Sequence, residues 1–133
     1  MDRWAEVAQV SDTIKFMGPV SDVATVLASS DMYLLTSRWE ALPISIVEAF
    51  RSAIPVVATD CGGVKELVNP SVGAVVPVGD TNAIAAMIID LADNQELRLQ
   101  MGRNALELSK KDRFSPGAVH ESYEALYKDI LTG

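Results

Sequence analysis

The densest chemistry in this sequence lies in Ser37-Arg38-Trp39-Glu40-Ala41-Leu42-Pro43-Ile44-Ser45-Ile46-Val47-Glu48-Ala49-Phe50, where two glutamates flank a proline. Pro43 suits the first position of a helix, because the N–H it lacks would be unpaired there and its fixed φ is helical. The free amides of that first turn, with the positive end of the helix dipole, then face back toward Glu40. Such a tip binds anions, phosphate among them. Glu48 falls in the same helix among Ile44, Ile46, Val47, Ala49 and Phe50. A carboxylate buried on so apolar a helix needs hydrogen-bond donors, and vicinal sugar hydroxyls supply two. Each glutamate also has a plainer reading. Glu48 can face solvent and pair with Arg51 or Ser52, and Glu40 can be an exposed loop residue or the partner of Arg38. Taken singly, these residues indicate an anion-binding loop of unspecified purpose.

The elements that must position this stretch follow from periodicity and punctuation. Residues 2–9 read as a short helix with Trp4, Val7 and Ala8 on one face. Residues 13–17 read as a strand closed by Gly18-Pro19, and Ser21-Asp22 caps a helix with Val23, Val26 and Leu27 in helical spacing. Met32 to Thr36 is an unbroken apolar run, which predicts a strand buried on both faces. A helix from Pro43 to about Ala53 follows, then a strand over 55–59, a short helix over 64–68 and a strand over 73–76. Helices starting after Asp80 or Thr81, near Gln95 and at Pro116 complete the chain. The alternation predicts an α/β fold, a Rossmann-like doubly wound parallel sheet with a helical C-terminus. Ligands of such sheets sit beyond the carboxyl ends of the strands, which selects the loops 37–42 and 60–63.

Composition narrows the function classes. A chain of 133 residues with 49% hydrophobic content suits one domain with a substantial core. The net charge of −7 argues against a nucleic-acid partner. One cysteine, Cys61, excludes an internal disulfide framework and fits a reducing compartment, and with one His no metal cluster is expected. The absence of a long apolar run and of a signal-like N-terminus predicts a cytoplasmic protein without a spanning helix.

At the two glutamates the sequence resembles a known family. Glu40 through Glu48 looks like the E-x7-E motif of the large retaining glycosyltransferase family four, whose members have the two-domain GT-B fold. The surroundings agree in order: Ser29 to Ser37, Glu48-Ala49-Phe50, Pro55 to Thr59, Gly62 to Val68, Gly73 with Val75 to Asp80, Met101 to Ala105, and Phe114-Ser115 with Tyr123 and Leu126. The likeness covers nearly the whole chain and implies the C-terminal, nucleotide-sugar-binding half. It implies that Glu40, the candidate catalytic residue, binds donor-sugar hydroxyls near the reacting carbon. The amides of Ala41 and Leu42 would lie near that sugar, those of Ile44 and Ser45 near the diphosphate, and Glu48 would bind the ribose. Gly62 and Gly63 would either let the backbone approach the donor or form a plain turn. No cofactor or metal is implied beyond the nucleoside diphosphate sugar itself. A non-catalytic nucleotide-binding or regulatory α/β domain is the alternative.

The sequence also departs from the family pattern. Ala41-Leu42-Pro43 stands where Gly-Phe-Gly is frequent, and Pro43 removes one amide donor. Ile54 stands in place of a glycine before Pro-Val-Val. The strand and loop that carry the family's Arg and Lys diphosphate clamp have no counterpart, and neither Arg3 nor Lys15 replaces them. These departures predict a fragment without its first strand and without an N-terminal acceptor-binding domain, inactive by itself. The whole enzyme would be cytoplasmic and could work at the inner face of a membrane. Tyr123, Leu126, Tyr127 and Ile130 form a stripe that would return to the other domain and favour self-association without it. Trp39 is read as a plug for its loop, His120 as a surface residue, Cys61 as inert, and Leu97, Leu99, Met101 and Leu106 as core.

Overall fold

The computed structural model describes residues 9–10, 12–111 and 116–132. Residues 2–8 of the expected opening helix, and Phe114-Ser115, lie outside the described residues. Among the described residues nine elements follow in order: α1 (Val23–Ala28), β1 (Tyr33–Leu35), α2 (Ile44–Arg51), β2 (Val56–Thr59), α3 (Val64–Leu67), β3 (Gly73–Val76), α4 (Thr81–Asp93), α5 (Gln95–Ser109) and α6 (Pro116–Thr132). Side-chain caps set the starts of three helices. The Asp22 carboxylate accepts from the Thr25 hydroxyl at 2.6 Å and the Thr25 amide at 3.0 Å, which holds its pKa below the ordinary value. Asp80 accepts from the Ala83 amide and Asn94 from the Leu97 amide, opening α4 and α5.

The three strands form one parallel sheet in the order β1-β2-β3, with Leu35 opposite Ala58 and Ala58 opposite Val75. Helices flank it, and the expected Rossmann-like architecture with a helical C-terminus is what the chain adopts. Each crossover carries a helix, as parallel pairing requires. The central strand β2 is buried along its whole length. Ile46, Ala49 and Phe50, spaced to share one face of α2, are fully buried between β2 and α5. Removing Phe50 and Ile46 from water contributes roughly 1.5–3 kcal/mol each. Val64, Leu67, Val72, Ala105 and Leu108 complete the cluster.

Three expectations are corrected. Residues 13–17 are not a strand: the Thr13 amide and hydroxyl both donate to the Val10 carbonyl, and Ile14, Phe16 and Met17 are exposed. An alternating segment gains stability as a strand only against a covering layer and a pairing edge. β1 is not buried on both faces either; it is a short edge strand with Leu34 exposed. On α5, Leu99 is exposed, whereas Leu97, Met101 and Leu106 are half-buried.

Candidate functional site

Parallel pairing brings the ends of β1 and β2 to one side of the sheet, so the loops after Leu35 and Thr59 are neighbours. Their contacts are unusually close. The Gly63 amide donates to the Ala41 carbonyl at 2.7 Å. Gly62 has φ of +52°, and a Cβ there would overlap the Glu40 carbonyl oxygen, while one at Gly63 would lie 2.8 Å from both the Ala41 oxygen and Leu42 Cδ1. The second glycine loop therefore presses on the first. The Thr59 hydroxyl, 2% exposed, donates to the Ser37 carbonyl at 2.5 Å, and Cys61 Sγ stands 3.5 Å from the same oxygen. Ser37 in turn donates its hydroxyl to Glu40 Oε1 at 2.7 Å.

Glu40 is half-buried, three residues ahead of Pro43. Pro43 is buried and serves as the cap rather than the first residue of α2, so the helix begins at Ile44. No side chain caps this end, no acidic residue lies in its first turn, and the first bond runs from the Ile46 amide to the Pro43 carbonyl at 3.2 Å. The amides of Ile44 and Ser45 precede that bond and point out of the helix end. Leu42 and Ile44 are exposed beside them, and Trp39, at 81% exposure, does not plug its loop.

Glu48 is exposed, contrary to a carboxylate buried among apolar residues. The helix solves the burial problem by turning Ile46, Ala49 and Phe50 inward and Glu48 outward. Glu48 nevertheless lines a groove of 240 Å³ between α1 and α2, with Val23, Ala24, Leu27, Arg51 and Ser52. Ser52 donates to the Glu48 main-chain carbonyl at 3.1 Å, not to its carboxylate. Arg38 lines a 420 Å³ cavity with Thr36, Thr59 and Thr81. Lys65 pairs with Asp60 at 2.5 Å on the surface. His120 pairs with Glu124 on an exposed face of α6.

Reading the sequence located Glu40, Glu48, the 41–45 amides and Gly62-Gly63, and the fold brings all but Glu48 into one loop cluster. It missed Thr59 and the role of Ser37. A threonine ending an otherwise aliphatic strand, level with a serine just past its neighbour, is the signal that was there to find.

Residues 1–108 match the family model described as glycosyl transferases group 1. The chain is 33% identical over 123 residues to N-acetyl-alpha-D-glucosaminyl L-malate synthase of Bacillus anthracis, a match covering 92% of this chain and 32% of that protein. Among solved structures it superposes on sucrose-phosphate synthase of Thermosynechococcus elongatus with a TM-score of 0.89 at 22% identity, over 98% of this chain and 33% of that one. It also superposes on Anabaena Alr3699/HepE in complex with UDP-glucose, with a TM-score of 0.86 at 26% identity, over 95% and 35% of the two chains. The chain thus spans about a third of the length of each of these three proteins.

Proposed function

Because the chain belongs to the group 1 glycosyl transferases, we propose that it is the donor-binding half of a retaining enzyme that moves a sugar from a nucleoside diphosphate sugar to an acceptor hydroxyl. The observation that carries this reading is the Glu40 carboxylate, held by Ser37 just ahead of an uncapped helix start. Glu40 would accept hydrogen bonds from the donor sugar, with the Ala41 and Leu42 amides beside it. The Ile44 and Ser45 amides would meet the diphosphate, and Glu48, at the rim of its groove, the ribose. Charge that develops on the departing diphosphate would be stabilised by the helix end and by cationic groups of the whole enzyme. The acceptor proton would pass to a phosphate oxygen of the donor, so this chain need supply no base. A metal is not part of the proposal.

Acceptor binding belongs, in this reading, to a second domain, and the chain alone would not transfer sugar. The share of its relatives that it spans supports that division. We place the enzyme in the cytoplasm, at the inner face of a membrane. The free, buried Cys61 thiol suits a reducing compartment, and among the described residues no helix is long and apolar enough to cross a membrane.

The exposure of Glu48 favours one competing account, a non-catalytic nucleotide-binding or regulatory domain in which that glutamate is an ordinary surface residue. Calorimetry with UDP, GDP and ADP and their glucose or mannose esters separates the two. Glu48→Ala should weaken nucleotide and nucleotide sugar alike, because both carry the ribose. Glu40→Ala should weaken only the sugar-bearing ligand, by about tenfold or more, the value of a charge-assisted hydrogen bond. Unchanged affinities in both variants would refute the donor site.

A further inference from the structure

We propose that Ser37 is a positioning residue for Glu40, and that the end of β2 with the turn after it, residues 59–63, is the mould that sets both. This inference rests on the donor-site reading above and assigns that site a device to orient its acid group. A glutamate side chain on a loop has three rotatable bonds and no intrinsic reason to keep one orientation. Here one carboxylate oxygen is fixed. Oε1 accepts from the Ser37 hydroxyl at 2.7 Å. An ionised carboxylate has about four acceptor sites, so Oε2 keeps its capacity for a ligand hydroxyl.

Ser37 can hold Glu40 only if Ser37 is itself held, and β2 does this. The buried Thr59 hydroxyl and the Cys61 thiol converge on its carbonyl oxygen. Gly62 and Gly63 then fix the main chain of the other partner. Gly62 packs against the Glu40 carbonyl in a left-handed conformation, and the Gly63 amide ties down Ala41. The turn thus acts on the Glu40 loop through the main chain of residues 37, 40 and 41, and through Ser37 on the carboxylate. The main-chain restraints come from the end of the neighbouring strand and the turn after it. The glycines accordingly have a purpose that needs no contact with ligand.

Two measurements on the 133-residue chain test this. The first is the affinity of Ser37→Ala, Ser37→Thr, Glu40→Ala and the Ser37→Ala/Glu40→Ala double variant for whichever of UDP-glucose, GDP-mannose and ADP-glucose the parent chain binds best, against the free nucleotide. Ser37→Ala should lose about tenfold for the sugar nucleotide and nothing for the nucleotide. Ser37→Thr, which keeps the hydroxyl, should restore most of the loss, and the double variant should be no worse than Glu40→Ala. A purely structural serine would weaken both ligands together. If Glu40→Ala is selective for the sugar nucleotide but Ser37→Ala is not, the positioning role is overturned and the donor site stands. The second measurement needs no ligand: NMR scalar couplings of Glu40 should report one side-chain rotamer in the parent and averaging in Ser37→Ala. Should Glu40→Ala prove unselective, or no probe bind, the donor reading falls, and the couplings alone decide. Couplings unchanged by Ser37→Ala would then overturn the positioning role as well.

Discussion

At the scale of single residues, the loops after β1 and β2 press on each other where Gly62 and Gly63 meet the main chain of Glu40 and Ala41. Glu40 was singled out by the E-x7-E resemblance, because the residues alone indicated only an anion-binding loop between an apolar strand and a proline. The bond from Thr59 to Ser37 spans 22 residues, and only the register between β1 and β2 creates it. Gly62 was legible as a turn residue but not as the surface on which the Glu40 main chain rests. Two glycines with positive φ make this testable. At Gly79, φ is +83° and a Cβ would meet nothing within 4 Å, so Gly79→Ala should cost about 1 kcal/mol for the left-handed backbone alone. Gly62→Ala carries the same backbone cost and adds an overlap with the Glu40 carbonyl. It should destabilise by about 3 kcal/mol or more in urea unfolding. Equal costs at the two positions would show that the loops are not in contact.

At the scale of elements, caps and periodicity located the helices well, and β3 was expected at the residues where it forms. The misassigned segment, 13–17, has strand-like alternation but pairs with neither edge of the sheet, an outcome that no local pattern reveals. The sequence also suggested Ile54 as the place where a glycine had been replaced. In the structure the left-handed residue is the one before it: Ala53, just past the Ser52 cap of α2, has φ of +58°. A left-handed residue after a helix is where glycine is favoured. This turn is pressed on from outside as well, since Gly102 of α5 leaves no room for a Cβ against the Ala53 carbonyl. Ala53→Gly should therefore raise stability by about 0.5–1 kcal/mol, read as a higher urea midpoint at unchanged slope. A loss of stability would mean that unfolded-chain entropy outweighs the relief of strain.

At the scale of the whole molecule, composition and element order led to the correct architecture, because an α/β alternation with short links leaves few topologies open. The sheet runs in one direction from β1 through β3, and the Glu40 loop leaves the carboxyl end of β1 beside the turn after β2. Open α/β sheets bind ligands beyond the carboxyl ends of their strands. From Val119 to Thr132 every residue of α6 is exposed, Tyr123, Leu126, Tyr127 and Ile130 among them. That face agrees with the apolar stripe read from the sequence. Burial on β1 was misjudged for a related reason: an apolar strand looks the same in sequence whether it lies at the centre or at the edge of a sheet.

The central claim is that the start of α2 and the loop before it hold the nucleoside diphosphate sugar. Amide chemical-shift mapping tests it most directly, with UDP-glucose, GDP-mannose and ADP-glucose titrated into the isotopically labelled chain. The account predicts saturable shifts concentrated on residues 37–48 and 62–63, with Ile44 and Ser45 moving for free nucleotide and Glu40 and Ala41 moving further when the sugar is present. Saturable shifts centred instead on the apolar cavity formed by Lys65, Val68, Met87 and Met101, with the start of α2 unmoved, would contradict it.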